Sequence, residues 1–445
     1  MEGLLLITSS PVPPLAAHPL LVFLLQIGVL LALALLLGRL AGRLGMPAVV
    51  GELFAGILVG PSLLGYVAPT ISEWLLPAKA DQFHLLDSFA QFCVILFIGM
   101  IGMQMDLTLA RRRGVVAAKV SVAGLVLPLG LGIAAGFLIP ASLLSPTADR
   151  TVFALFIGVA MCVSALPVIA KTLADMRLLH RNIGQLTMIA GFIDDIVGWF
   201  LLSIVSAMAI TGGRGGDAAR SFLYLTGFLV FAATVGRRSV RALLRLAARA
   251  PDSGATAAMI VVVLLLGASA TLSMGLEAVL GAFTFGILIK ASGVIDTSQI
   301  ASLTTVVTSV LAPFFFATVG LRMNLTYLGR PLVAITALAI LSVAIAGKFT
   351  GAYIGALVSR LDRWEALALG AGMNARGVIQ IIVASVGLRL GVLNSEIYTV
   401  IVLVAVVTSL MAPPILRLSM AHIDCTAEER VREEHFLAAS NSITE

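Results

Sequence analysis

The chain has 445 residues, 59% of them hydrophobic and 12% charged, against roughly 25% charged in a typical soluble domain. Water is excluded as its main solvent: apolar runs of bilayer-crossing length, about 17–25 residues, recur from His18 to the neighbourhood of Arg417. The net charge of +6 does not point to nucleic acid, because basic residues in a multi-span chain mark its cytoplasmic side.

In chain order the pattern predicts thirteen transmembrane helices, near 18–38, 46–64, 87–105, 114–140, 151–173, 182–210, 220–236, 255–274, 277–291, 298–321, 331–358, 364–387 and 394–418. Residues 1–17 are read as an N-terminal segment, 18–418 as one membrane domain and 419–445 as a short charged cytoplasmic tail. The first segment carries Glu2 and no basic residue. It therefore lacks the positive start of a secretory signal, and the apolar run from about Pro19 is expected to be retained. Placing the N-terminus outside puts most Lys and Arg residues inside, including Arg111, Arg112, Arg113, Arg237, Arg238, Arg241, Arg245 and Arg249, so the C-terminus is expected in the cytoplasm. Cys93, Cys162 and Cys425 have no disulfide or zinc spacing and are read as packing residues.

The chain repeats itself. The segment 45–59 (GMPAVVGELFAGILV) and the segment 275–289 (GLEAVLGAFTFGILI) carry Gly, Ala-Val, Gly and Gly-Ile-Leu in one register. GMQMDLT (102–108) matches GLRMNLT (320–326), pairing Asp106 with Asn324, and ALFIGVAMCVSA (154–165) aligns with ALALGAGMNARG (366–377). Matching order implies duplication of helices 1–6 as 8–13, and a shift of seven spans inverts the second copy. Inverted repeats are a common transporter plan, with the ion site near the midplane between broken helices.

Chemistry concentrates at four places. In GFIDDIVGW (191–199), Asp194 and Asp195 lie midway through an apolar span, where each acid costs about 2.5–3.5 kcal/mol on insertion scales. Adjacent helical residues point about 100° apart, so one carboxylate can face a fixed cation and the other a solvent cavity. Lys348, among small residues in mid-span, supplies that cation. Pro167, after Cys162, Val163, Ser164 and Ala165, marks either a kink or a break, since it lacks an amide donor. Asn374, Ala375 and Arg376 lie between glycines at the equivalent place in the second repeat, and unwound backbone at that depth must line a cavity. Glu52 fits a cavity acid or a packing role. Arg237, Arg241, Arg245 and Arg249 form a basic helical face suited to anionic headgroups.

The runs SALPVIAKTLADMRLL (164–179), GFIDDIVGW (191–199), APFFFATVGLRMN (312–324) and GAGMNARGVIQIIVASVGLRLGVL (370–393) together resemble the monovalent cation:proton antiporter superfamily. The branch is the one with plant cation/proton exchangers and bacterial sodium/proton and Kef-type antiporters. The resemblance covers about residues 20–418. It implies an all-α membrane protein, an inverted repeat with two broken crossing helices, alternating access and a homodimer. It assigns alternate cation and proton binding to Asp195, pairing of Asp194 with Lys348, and site lining to Cys162, Val163, Ser164, Pro167, Asn374, Ala375 and Arg376. Asp195, Asp194 and Ser164 are the expected ligands of the transported Na+ or K+. No cofactor is implied beyond the transported ions, and no nucleic acid. Two departures stand out: Gln380 replaces a glutamate common in relatives, and no nucleotide-binding domain follows the last helix in this sequence.

A cation channel or a non-transporting sensor on the same fold is the alternative. An intramembrane aspartyl protease needs carboxylates from two helices, whereas these are neighbours on one, so an enzyme is not expected.

Overall fold

The computed structural model describes residues 16–77, 80–104, 114–146, 148–211, 215–249, 253–295 and 300–430. The described residues are helical throughout, with no strand. The helices are α1 (Ala17–Arg43), α2 (Ala48–Val59), α3 (Leu64–Val67), α4 (Pro69–Leu75), α5 (Ala80–Gln104), α6 (Gly114–Leu138) and α7 (Arg150–Cys162). They continue as α8 (Leu166–Asp175), α9 (Asn182–Thr211), α10 (Gly215–Phe231), α11 (Arg237–Ala247), α12 (Ser253–Ser273) and α13 (Ala278–Ser292). The last are α14 (Ala301–Val306), α15 (Ala312–Leu321), α16 (Pro331–Val358), α17 (Arg363–Met373), α18 (Val378–Arg389) and α19 (Ser395–Met420). Among the described residues ten helical segments are long and apolar enough to cross a membrane, and α7 and α13 are shorter apolar helices.

The element limits differ from the expected ones where the backbone breaks or fails to break. The helix expected over 151–173 is two, α7 and α8. The one expected over 220–236 runs on through a π turn at Ala232–Gly236 into α11, so the arginine face belongs to a continuous helix. Asp106 and Arg111 to Arg113 lie outside the described residues.

The outer surface is built for lipid. In α1 the buried residues Val22, Gln26, Leu30, Ala34, Gly38 and Ala41 form one stripe, while Leu20, Leu21, Leu24, Leu36 and Leu40 are exposed. An apolar helix face left open in this way is stable only in an apolar solvent.

Glycines set how closely the helices approach. A methyl group at Gly51 would lie 2.1 Å from the Leu37 carbonyl oxygen, and one at Gly281 would lie 2.0 Å from that of Gly267. Gly56 meets Ala317 and Gly320 on α15, and Gly286 meets Gly99 and Gly102 on α5. Gly51 and Gly281, and Gly56 and Gly286, are equivalent in the sequence repeat, as are Gly102 and Gly320. Each copy of the motif thus packs on its own preceding helix and on the other copy's later helix. Gly45 and Gly275, which open the two motifs, both have φ of +73°, a left-handed conformation that favours glycine.

Two apolar clusters fill the interior. The smaller joins α6, α8, α9, α16, α17 and α19 on the tail side, and the larger takes up the rest. Cys162 and Val163 belong to the larger cluster and Ala165 to the smaller; Met373 and Ala375 belong to the smaller and Val378 to the larger. Both chain breaks therefore sit at the boundary between the clusters.

Candidate functional site

Helix α7 ends at Cys162, with Val163 extended, and Val163, Ser164 and Ala165 lie outside any helix before α8 begins. Helix α17 ends at Met373, and residues 374–377 form a turn and an open stretch before α18. The Ala165 amide donates to the Ala375 carbonyl at 3.2 Å, so the two unwound stretches cross in contact and satisfy part of each other's backbone. Pro167 is not part of the unwound stretch. It lies in the first turn of α8, where its fixed φ and missing N–H are tolerated because first-turn amides have no helical acceptor.

Asp194 and Asp195 sit near the middle of α9 beside this crossing, and both are fully buried, as are Lys348 and Arg376. Around Asp194 every polar demand is met. Ser121 donates to its Oδ1 at 2.5 Å, and Lys348 Nζ forms an ion pair with its Oδ2. The Ser164 hydroxyl lies 2.8 Å from Asp194 Oδ2 and 2.9 Å from the Met373 carbonyl oxygen. Lys348 also donates to the Cys162 carbonyl at 2.6 Å, an acceptor left free by the end of α7. A buried ion pair is tolerated when further hydrogen bonds complete it in this way.

Asp195 is different. Among the described residues its Oδ1 receives only a long bond, 3.4 Å, from the Leu166 amide, and its Oδ2 has no hydrogen-bond partner. Asn374 Oδ1 is likewise buried and unpartnered. Arg376 points elsewhere: its guanidinium donates to the carbonyls of Ala160 at 3.1 Å and Ala344 at 2.7 Å, and Ser409 donates to its own carbonyl. Arg376 therefore ties α7 to α16 and fixes the second break. Gln380 is buried and donates to the Ile401 carbonyl at 3.3 Å. Glu52 packs against Gly38 on α1. The structure thus gathers Cys162, Ser164, Asp194 and Lys348 into one network, with Asp195 beside it.

The match to known proteins spans most of the chain. A family model described as sodium/hydrogen exchanger, transmembrane, matches residues 29–421. The chain belongs to this exchanger family. Among its relatives, the Na(+)/H(+) antiporter NhaS4 of Synechocystis is 32% identical over 401 residues, covering 90% of this chain and 97% of that protein. Cation/H(+) antiporter 20 of Arabidopsis thaliana is 31% identical over 417 residues, covering 89% of this chain but 48% of the plant protein. Among solved structures, the sodium proton antiporter MjNhaP1 of Methanocaldococcus jannaschii at pH 8 superposes with a TM-score of 0.70 at 15% identity, covering 90% of this chain and 99% of that one. The chain is an integral membrane protein with the fold of that antiporter.

Ser121 was not singled out in the sequence. A lone serine in an apolar span carries no signal of its own, and its role is visible only because Gly347, Gly351 and Gly355 bring α16 and its lysine against α6.

Proposed function

We propose that the chain is a secondary active antiporter that exchanges a monovalent cation, Na+ or K+, for protons. Asp195 is the carrier: one carboxylate takes either the cation or a proton, so the two compete and each leaves when the other arrives. The observation that carries the reading is the contrast within the acid pair. Asp194 is saturated by Ser121, Ser164 and Lys348, while Asp195 keeps a buried oxygen without a partner. Buried polar atoms in native proteins are almost always satisfied, and a proton or a cation satisfies this one. Carboxylate, hydroxyl and carbonyl oxygens are the donors alkali cations accept, and the name of the Synechocystis relative supports sodium as one of them.

Ser164 and Asn374 would complete the cation's shell from the two unwound stretches. Lys348 would leave Asp194 when the cation binds, releasing a second proton and making the exchange electrogenic. The crossed glycine contacts support thirteen passes arranged as an inverted repeat, and a protein so built works by alternating access around a fixed site. The core would be the helices that carry the breaks, the acids and Lys348. It would move against the others in a homodimer in the cell membrane, with the N-terminus outside and the tail in the cytoplasm.

Proton flux in proteoliposomes tests the reading. Sodium, lithium, potassium or rubidium added outside should release protons saturably. A passive cation current without proton movement is the signature of a channel, and no flux at all is that of a sensor.

A further inference from the structure

We infer that Trp199, Ser203 and Ser206 line a hydrated route along α9 by which protons and the cation reach Asp195 from the membrane face opposite the tail. The inference rests on the antiport reading for what the route carries, but its geometry stands on its own. Trp199, Ser203 and Ser206 are buried, and Trp199 Nε1, Ser203 Oγ and Ser206 Oγ have no hydrogen-bond partner among the described residues, like Asp195 Oδ2. At about 100° per residue, positions 195, 199, 203 and 206 fall within an arc of roughly 80° on one side of the helix. They form a single file of unsatisfied polar atoms.

Burial alone does not produce this pattern. Buried hydroxyls elsewhere in the spans bond back to the carbonyl four residues earlier: Thr187 to Ile183, Thr318 to Phe314, Thr408 to Val404 and Ser419 to Ile415, at 2.7 to 2.9 Å. Ser203 and Ser206 decline that bond although their own helix offers it. An unsatisfied buried polar group costs about 1–3 kcal/mol, and a file of them is sustained when water bridges one to the next.

Length and direction agree. Eleven residues of helix from Asp195 to Ser206 span about 16 Å, half of a hydrocarbon core of about 30 Å. The N-terminus of α9 lies under the tail, since the Asn182 amide donates to Glu429 at 2.6 Å, so the file runs the other way. Its far end reaches Ile210, on the same arc and exposed. Trp199, one turn from Asp195, rests against Phe283 of α13, ring centroids 6.0 Å apart.

Cysteine access tests this in the full chain with Cys425 replaced by serine, reconstituted in vesicles and exposed to a membrane-impermeant, positively charged methanethiosulfonate. Ser203→Cys and Ser206→Cys should react from the face opposite the tail at least about ten times faster than the parent chain or Val205→Cys, which is equally buried but turned off the arc. Rates no faster than Val205→Cys overturn the route. Should the variants fail to fold, X-ray radiolytic footprinting of the unmodified protein decides. Trp199 should be oxidised well ahead of the equally buried Phe153 and Phe156 after correction for intrinsic reactivity, and equal protection overturns the route. Exchange is measured in the same vesicles. Unreactive cysteines beside an unmodified chain that exchanges leave antiport standing, whereas reactive ones beside an unmodified chain that does not exchange leave the route without its cargo.

Discussion

The Ala165 amide donates to the Ala375 carbonyl, joining the two unwound stretches at one point, and the Asp194–Lys348 pair is built directly beside that junction. Any change that unpairs the lysine therefore acts on the crossing as well as on the charge.

Asp194→Asn should destabilise the fold by about 3–5 kcal/mol, the usual cost of leaving one partner of a buried pair uncompensated. Replacing both partners with apolar residues, Asp194→Leu with Lys348→Met, should recover much of that loss. Thermal unfolding in detergent reads both. Lys348→Gln leaves Asp194 with Ser121 and Ser164, and should give slower exchange that no longer responds to membrane potential.

The close helix crossings give a sharper stability test. Gly51→Ala and Gly281→Ala each push a methyl group to about 2 Å from a backbone carbonyl, which no rotamer relieves. Both should lower the yield of folded protein severely. Gly28→Ala and Gly130→Ala, with nothing within 4 Å, should be neutral or stabilising by about 0.5–1 kcal/mol. Equal effects at all four positions would contradict the packing described for the repeat.

How much of this was legible depends on what competes with each signal. Asp194, Asp195 and Lys348 stand out because a charge in an apolar span has few structural reasons to be there, and the structure places all three at one site. Glycine register carried the expectation of a repeat, and backbone contact leaves no room for a larger residue at Gly51 and Gly281. The resemblance to cation:proton antiporters, carried by four short runs, holds as a family match over residues 29–421. Ser121 was invisible, since serine is common in packed helices. Proline both interrupts helices and starts them, so Pro167 marks the neighbourhood of the break without showing that it falls inside α8. The basic face of Arg237, Arg241, Arg245 and Arg249 was legible from its four-residue spacing as an interfacial continuation of the helix over 220–236, and the helix does continue, through the π turn, to Ala247.

The tail offers a pH-dependent prediction. Arg181 donates to the Ile423 and Asp424 carbonyls and pairs with Glu429, which also receives the Asn182 and Thr426 amides. Burial pushes the Glu429 carboxyl up, but these amides and the Arg181 charge more than offset it and hold the carboxyl below its ordinary value of 4.5. A depressed carboxyl stabilises the docked tail fully above the unfolded value and loses that contribution as pH falls through the lower, folded one. The tail should therefore stay docked at neutral pH and release only in acid. Glu429→Gln should release it at neutral pH, seen as faster proteolysis after Arg430 than in the parent chain.

The central claim is that Asp195 carries both ions. Its most direct test is cation-driven proton release from proteoliposomes holding Asp195→Asn, compared with the unmodified chain at several pH values. The unmodified chain should show apparent cation affinity that weakens as pH falls, because proton and cation compete for one carboxylate. Asp195→Asn, with thermal unfolding showing it folded, should release no protons at any pH. Exchange by that variant at the unmodified rate contradicts the account.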